Sequence, residues 1–492
     1  MSRRAVPAAL AAVVLAASLL TTTGMSASAD VTRPSETGTA ADISFPAGVS
    51  RLAGKDRYDT AIAVSKKYAA GTDAVFVATG ANFPDALSAA AAAARLGAPL
   101  LLTPGTTLPA AVRTEITRLS PATIFIAGSE GAVGAGVERA LTAIAPVERL
   151  GGASRYETGN ALVRRVFPGA THAFIATGRT FPDALAATGA AGATSAPVIL
   201  VDGAAASLPT DTRDLLDALG VSAVTIVGGA GAVSPGIEAE LANAYDVQRL
   251  GGAGRFDTAA LINDSFFSAG SAPAAFLATG QNFPDALAGA ALAGRTKSPV
   301  YVTNAACVPE SAHLSLQRLG APSTVVLGGV AVVGAQAAAN MGCLTAGTPT
   351  ISGTAHVTGS LTANVGTWTA GTTFQYQWLA NGSPLSGATG ARLALSAAHA
   401  GKQISVRITG SNPGYVSASV LSGRTSAISY PVRTTPVDSW NCPSWAPIKG
   451  NIGAKEKIYH MPGGRYYAAT NPEECFRTEA AAKSAGYRRS KL

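Results

Sequence analysis

The sequence predicts three tandem α/β units, each a small parallel sheet with helical crossovers, followed by an all-β sandwich and a short disulfide-stapled module. Three observations carry this reading. Two motif blocks recur three times in the same order, about a hundred residues apart. Short apolar runs alternate with Ala-rich stretches inside each copy, and near residue 345 the composition turns to Thr, Ser and Gly.

The first block, Arg51-Leu52-Ala53-Gly54-Lys55-Asp56-Arg57-Tyr58-Asp59-Thr60, returns as Arg149-Leu150-Gly151-Gly152-Ala153-Ser154-Arg155-Tyr156-Glu157-Thr158 and as Arg249-Leu250-Gly251-Gly252-Ala253-Gly254-Arg255-Phe256-Asp257-Thr258. The second, Ala78-Thr79-Gly80-Ala81-Asn82-Phe83-Pro84-Asp85-Ala86-Leu87, returns from Ala176 and from Ala278 with Phe181-Pro182-Asp183 and Phe283-Pro284-Asp285 at its centre. These blocks set the repeat bounds at 50–148, 149–248 and 249–344. In the first copy, strands are expected at 74–78, 99–102 and 123–127, continuously apolar as befits burial on both faces. Helices are expected at 84–96, opened by a proline at its first position, and at 109–119.

Segment 348–430 reads as an immunoglobulin-like β-sandwich. Phe374-Gln375-Tyr376-Gln377-Trp378-Leu379 leads into the turn signal Asn381-Gly382, and a second alternating strand follows from Gln403 to Ile408, with Trp378 as the expected core anchor. A Pro/Thr linker, 431–436, introduces the last segment, 437–492. There nine Lys or Arg face five acids, and a module this small needs a covalent staple.

At the other end, Arg3 and Arg4 precede an apolar stretch and the small-residue site Ala27-Ser28-Ala29, the layout of a signal peptide over 1–29 with cleavage before Asp30 and a linker over 30–49. An exported chain favours disulfides. Of the three pairings open to Cys307, Cys343, Cys442 and Cys475, the one joining Cys307 to Cys343 and Cys442 to Cys475 keeps each bond inside one domain. The net charge of +8 falls to +6 without the signal peptide, a modest excess that favours an anionic partner.

The candidate binding residues come from the repeats. Arg57, Arg155 and Arg255 stand between a glycine turn and a helix start, where a guanidinium can grip a phosphate or carboxylate at two points. Asp85, Asp183 and Asp285 follow prolines in the first turn of a helix, where the macrodipole favours negative charge. Each aspartate is also the expected structural partner of its repeat's arginine, so the same residues read either as an internal lock or as a polar cleft at the strand ends. No metal or other cofactor is expected, because the cysteine spacings hold no C-x-x-C and no complete G-x-G-x-x-G or P-loop occurs. His172, His313, His356, His399 and His460 recur in no repeat, and no hydrolase motif is present, so the chain does not read as an enzyme. The alternative is a wall-remodelling enzyme or accessory, with any chemistry hidden near Tyr459 and His460.

The repeated blocks, together with Pro99-Leu100-Leu101-Leu102, Pro197-Val198-Ile199-Leu200 and Pro299-Val300-Tyr301-Val302, resemble the type 2 cell-wall-binding repeats of Gram-positive surface proteins over about residues 50–344. The resemblance implies three α/β units around a pseudo-threefold axis in a monomer. It also implies non-covalent attachment to an anionic secondary wall polymer or peptidoglycan at the cell surface, with no nucleic acid and, after signal cleavage, no membrane as partner. The family associates attachment with the Pro-Leu-Leu-Leu type segment, here Pro99, Leu100, Leu101, Pro197, Val198 and Ile199. The third copy departs from the pattern with Tyr301 and with Cys307 in the loop that follows. The sandwich is similar to immunoglobulin-like spacers of actinobacterial surface proteins, and the last segment resembles the small sunset domain of secreted actinobacterial proteins.

Overall fold

A computed structural model describes residues 43–491, so the predicted signal peptide and most of the 30–49 linker lie outside the described residues. The first repeat runs β1 (Gly48–Leu52), α1 (Arg57–Ser65), β2 (Ala74–Thr79), α2 (Pro84–Arg95), β3 (Leu100–Thr103), α3 (Ala110–Leu119), β4 (Thr123–Ala127) and α4 (Ala135–Thr142). The second follows the same order with β5 (Val147–Leu150), α5 (Arg155–Val166), β6 (His172–Thr177), α6 (Pro182–Thr194), β7 (Val198–Val201), α7 (Thr210–Leu219), β8 (Ala223–Val227) and α8 (Pro235–Ala242). The third has β9 (Asp246–Leu250), α9 (Arg255–Phe266), β10 (Ala275–Thr279), α10 (Pro284–Arg295), β11 (Val300–Thr303), α11 (Glu310–Leu319), β12 (Ser323–Leu327) and a shortened α12 (Ala335–Ala338).

These strands form three four-stranded parallel sheets, ordered β3-β2-β4-β5, β7-β6-β8-β9 and β11-β10-β12-β1. The strand that opens each sequence repeat therefore completes the sheet of the unit before it. The first strand of the chain closes the third sheet, with Gly48 to Leu52 in register with Ser323 to Leu327. Every residue of β2 and β3 is buried, as the unbroken apolar runs require of strands covered on both faces.

Helices α2, α6 and α10 pack against one another at the centre, and each also packs on the first helix of the next unit: α2 on α5, α6 on α9, α10 on α1. Their contact faces are built of alanine and glycine, which lets the backbones approach closely. One hydrophobic core runs through all three units.

Beyond the ring of units, β13 (Gly342–Cys343) leaves the third unit and pairs in parallel with β20 (Tyr415–Val416) of the β-rich segment. The Cys307–Cys343 disulfide, with Cα atoms 4.9 Å apart, ties this strand to the start of α11, and the buried ring of His313 stands edge-on to Tyr415 at 4.8 Å. The β-rich segment has two antiparallel sheets over one core. One contains β14 (Thr350–Gly353), β15 (Ser360–Asn364) and β18 (Arg392–Ala394); the other contains β16 (Thr373–Ala380), β17 (Ser383–Pro384), β19 (Ile404–Ser411) and β21 (Ala418–Leu421). Trp378 is fully buried there and donates its indole N–H to the Gly390 carbonyl at 2.9 Å. Asn381 and Gly382, at φ 50° and 88°, make the predicted two-residue turn.

The last segment is a five-stranded sheet of β22 (Arg433–Thr434), β23 (Ile448–Ile452), β24 (Lys457–His460), β25 (Glu474–Phe476) and β26 (Arg488–Arg489), ordered β22-β25-β23-β24-β26, with α13 (Glu479–Ser484) against it. Its core is five residues, Ile448, Tyr459, Phe476, Ala482 and Tyr487, and the Cys442–Cys475 disulfide supplies the staple that so small a core needs. Among the described residues no helix is long and apolar enough to cross a membrane.

Candidate functional site

The first motif block is a device for seating an arginine. The hydroxyl of Thr60 accepts a hydrogen bond from the Gly54 N–H at 3.1 Å, and Thr158 with Gly152 and Thr258 with Gly252 repeat the contact at the same distance. This folds the glycine turn back on the helix start, capped in the first two copies by Asp56 and Ser154. The arginine at the first helical position then reaches the strand end of its own unit. Arg57 donates to the Gly80 carbonyl, Arg155 to Gly178 and Arg255 to Gly280. A side chain at these glycines would collide with the neighbouring aromatic ring, since a Cβ at Gly178 would lie 2.7 Å from Tyr156. The A-T-G motif thus leaves room for the arginine and its aromatic neighbour.

Three phenylalanines from the second block complete the site. Phe83, Phe181 and Phe283, each just ahead of the N-terminus of α2, α6 or α10, form a triangle with ring centroids 6.1, 5.6 and 5.9 Å apart. The guanidinium of Arg155 lies 5.9 Å from the ring of Phe83, that of Arg255 6.0 Å from Phe181, and that of Arg57 6.0 Å from Phe283. Each arginine sits over the phenylalanine of the preceding unit, and the third unit passes on to the first. The cycle is a direct expression of internal threefold pseudosymmetry.

The expected lock between each arginine and the aspartate of its own repeat is corrected by this geometry. The positive charges that act on Asp85 and Asp183 come from Arg155 and Arg255, in the following unit, and among the described residues no ion pair joins the repeated arginines to Asp85, Asp183 or Asp285. The aspartates instead lie over the glycine that follows the third strand of each unit's motif. A Cβ at Gly128 or Gly228 would fall 2.7 Å from the carboxylate of Asp85 or Asp183, and one at Gly328 2.5 Å from that of Asp285. All three glycines have positive φ, at 113°, 106° and 90°.

Burial pushes the carboxyls of Asp85 and Asp183 up to about 6, against the pull of the neighbouring guanidinium. A folded-state value above the unfolded one means that the unfolded chain ionises first as pH rises. Stability from these two groups is therefore greatest below about pH 4, falls between pH 4 and 6 and stays lower above that. Asp85→Asn and Asp183→Asn are expected to raise stability at pH 7.5 by about 1–3 kcal/mol each, and to lose that advantage at pH 4. Urea denaturation at the two pH values checks this, and an unchanged midpoint at pH 7.5 would refute it.

The Pro-Leu-Leu-Leu type residues stand apart from this surface. Pro99, Leu100, Leu101, Pro197, Val198 and Ile199 are buried, the leucines, valine and isoleucine at 1% exposure or less. They build the core of β3 and β7 and offer no side chain to a polymer.

The family model "Cell wall binding domain 2 (CWB2)" matches residues 51–138, 149–238 and 249–338. The chain belongs to this family. A second model, "ArfC", matches residues 430–489. Among curated proteins, the N-acetylmuramoyl-L-alanine amidase LytC of Bacillus subtilis is 27% identical over 258 residues, covering 52% of this chain and 50% of that protein. The amidase enhancer of the same organism is 29% identical over 263 residues, covering 53% of this chain and 36% of its own length. The chain thus spans half or less of these relatives, and what it shares with them is the repeat region. Among solved structures, Cwp6 from Clostridium difficile is 25% identical with a TM-score of 0.56, covering 60% of this chain and 48% of that one. Cwp8 from the same organism is 29% identical with a TM-score of 0.53, covering 58% and 50%.

Three tandem CWB2 copies thus make up the region from residue 51 to residue 338. The phenylalanine triangle was missed in reading the CWB2 motifs, although the threefold recurrence of Phe83, Phe181 and Phe283 was in plain view. A residue between a strand end and a helix-opening proline reads as turn; only the packing of three such turns on one axis makes it a seat for cations.

Proposed function

We propose that this secreted protein attaches without a covalent bond to an anionic polymer of the Gram-positive wall, and that Arg57, Arg155 and Arg255 form one composite site on the pseudo-threefold axis. The observation that supports this is the state of the guanidiniums. Each donates a single hydrogen bond to a protein acceptor, and its other N–H groups face no acceptor among the described residues. The three cations surround one phenylalanine triangle at the converging N-termini of α2, α6 and α10, ends that carry partial positive charge. Asp85 and Asp183 temper the charge of Arg155 and Arg255, and protonation of these two carboxylates near pH 6 frees those arginines for phosphate or carboxylate. The β-rich segment acts as an immunoglobulin-like spacer, and the last segment is a sunset-like module.

A composite site differs from three separate weak contacts in what one substitution does. Each single Arg→Ala variant is expected to weaken co-sedimentation with purified walls by about tenfold or more, and the triple variant to add little beyond the worst single one. Binding by the parent should fall as salt rises, because exposed ionic contacts are screened within about 8 Å at physiological ionic strength. Three equal, graded losses would replace the composite site by independent ones. A triple variant that folds and binds like the parent at low salt would remove the arginines from the site.

A further inference from the structure

The arginine ring is threefold, but its rim is not. At the residue after Gly80, Gly178 and Gly280, whose carbonyls hold the ring arginines, the units carry Ala81, Arg179 and Gln281. At the residue after β3, β7 and β11 they carry Pro104, Asp202 and Asn304. Only the second unit is charged at either position.

These two charges stand at the ring itself. The carbonyl to which Arg155 donates, at 2.8 Å, belongs to the peptide that joins Gly178 to Arg179. The Arg179 N–H donates to the Thr177 hydroxyl at 3.2 Å, and a Cβ at Gly203 would fall 2.9 Å from that same hydroxyl, so the loop carrying Asp202 packs directly on this turn. The Asp202 carboxylate accepts from the Ala204 N–H at 3.3 Å and lies 3.6 Å from the Arg179 guanidinium. That separation is too long for a hydrogen bond, and the side chains are 59% (Arg179) and 47% (Asp202) exposed. Such a pair adds little to stability, and an anion from outside can take the guanidinium from it.

The other two edges differ in kind. The first unit has no charge at these positions, and its exposed Lys55 pairs with Asp59 on its own helix at 3.5 Å. In the third unit the Asn304 amide lies 3.8 Å from the Cys343 sulfur, which is bonded to Cys307 of the same loop. The strand that carries Cys343 is paired with β20, and the Gly342 N–H donates to the Gly414 carbonyl at 2.8 Å. The β-rich segment therefore stands against the third edge. A long ligand held on a threefold axis has to leave it over one edge, and only the second pairs openness with a cation.

We propose, on the composite-site reading, that the anionic polymer leaves the arginine ring over the second unit, where Arg179 binds its next phosphate or carboxylate and Asp202 limits that contact. A guanidinium suits either group because it can bind it at two points. The contact forms at high local concentration once the ring holds the chain, so a weak extra site raises affinity measurably.

The test is binding of the full-length protein to purified intact walls at low and at physiological salt. Arg179→Ala is expected to weaken binding about fivefold at low salt and less at higher salt, with an unchanged melting temperature. Asp202→Asn keeps an oxygen for the Ala204 N–H but removes the competing charge, and is expected to bind about two- to threefold more tightly. Lys55→Ala is the charge-matched control and should cost much less than Arg179→Ala. An Arg179→Ala variant that binds like the parent, an Asp202→Asn variant that binds no better, or an equal loss in Lys55→Ala overturns the charged edge. If Arg57→Ala/Arg155→Ala/Arg255→Ala abolishes binding while Arg179→Ala leaves it intact, the composite site stands and its edge falls. Unchanged binding in the triple variant brings down the composite site itself, and the edge with it.

Discussion

Gly192→Ala is expected to destabilise the ring of CWB2 units by about 2–4 kcal/mol, although alanine is the better helix former. In an open helix this exchange gains about 1 kcal/mol. Here a Cβ at Gly192 would lie 2.1 Å from the Gly294 carbonyl oxygen and 2.4 Å from the Gly294 Cα, atoms of the α10 backbone that cannot rotate aside. Gly294 is equally confined, with a Cβ there 2.7 Å from that of Ala94 in α2. Relief requires α6 and α10 to separate, which loosens the contact on which all three units depend. Gly231→Ala serves as the control, because a Cβ at that position meets nothing within 4 Å. Urea denaturation of the three proteins decides it. If Gly192→Ala unfolds at the same or higher urea than the parent, the close packing of the central helices is not what the structure shows.

The helix faces around Gly192 show what could be read in advance. Runs such as Ala89 to Ala94 signal a helix, and their lack of large side chains signals close packing, but which helix they meet is not written in a repeat whose three copies are alike. The same degeneracy hid the partner of each arginine. Arg155 can meet Asp183 of its own repeat or Asp85 of the one before, and the composition is identical in either arrangement. The strands 74–78, 99–102 and 123–127 were legible because burial on both faces demands unbroken apolar runs, and the structure places β2, β3 and β4 within a residue of those bounds. That very burial stands against polymer contact by the side chains of Leu100, Leu101, Val198 and Ile199, an assignment that came from resemblance and not from their chemistry.

Where the ring begins was also hidden, because a periodic sequence has no phase. Arg51-Leu52 and its counterparts open the repeat as written, yet β5 and β9 belong to the preceding sheets and β1 to the last one. The third copy then looks truncated only when it is read alone. Its missing strand is supplied from the other end of the chain.

Removing residues 1–53 is accordingly expected to undo the third unit, far from the cut in sequence. The truncation takes away β1 and turns β12, now flanked on both sides, into an open edge of unpaired backbone groups. With it go the hydrogen bond from the Gly328 N–H to the Leu52 carbonyl at 2.9 Å and the edge-on packing of Phe45 against Phe276 at 5.4 Å. Arg51 is lost too, which donates to the carbonyls of Gly328 at 2.6 Å and Val333 at 2.8 Å. Its counterparts Arg149 and Arg249 pair with Glu138 and Glu238, whereas position 338 is Ala338, so the shortened third unit leans on these backbone contacts. A whole strand and its buried neighbours are comparable in worth with the total stability of a domain, about 5–15 kcal/mol, so the truncated protein should aggregate or lose its cooperative transition. Supplying residues 43–56 as a separate peptide should restore part of the transition and the amide protection of Val325 and Val326. A truncated protein that melts where the parent does, with β12 protected from exchange in the absence of the peptide, would show that the ring does not need its first strand to close.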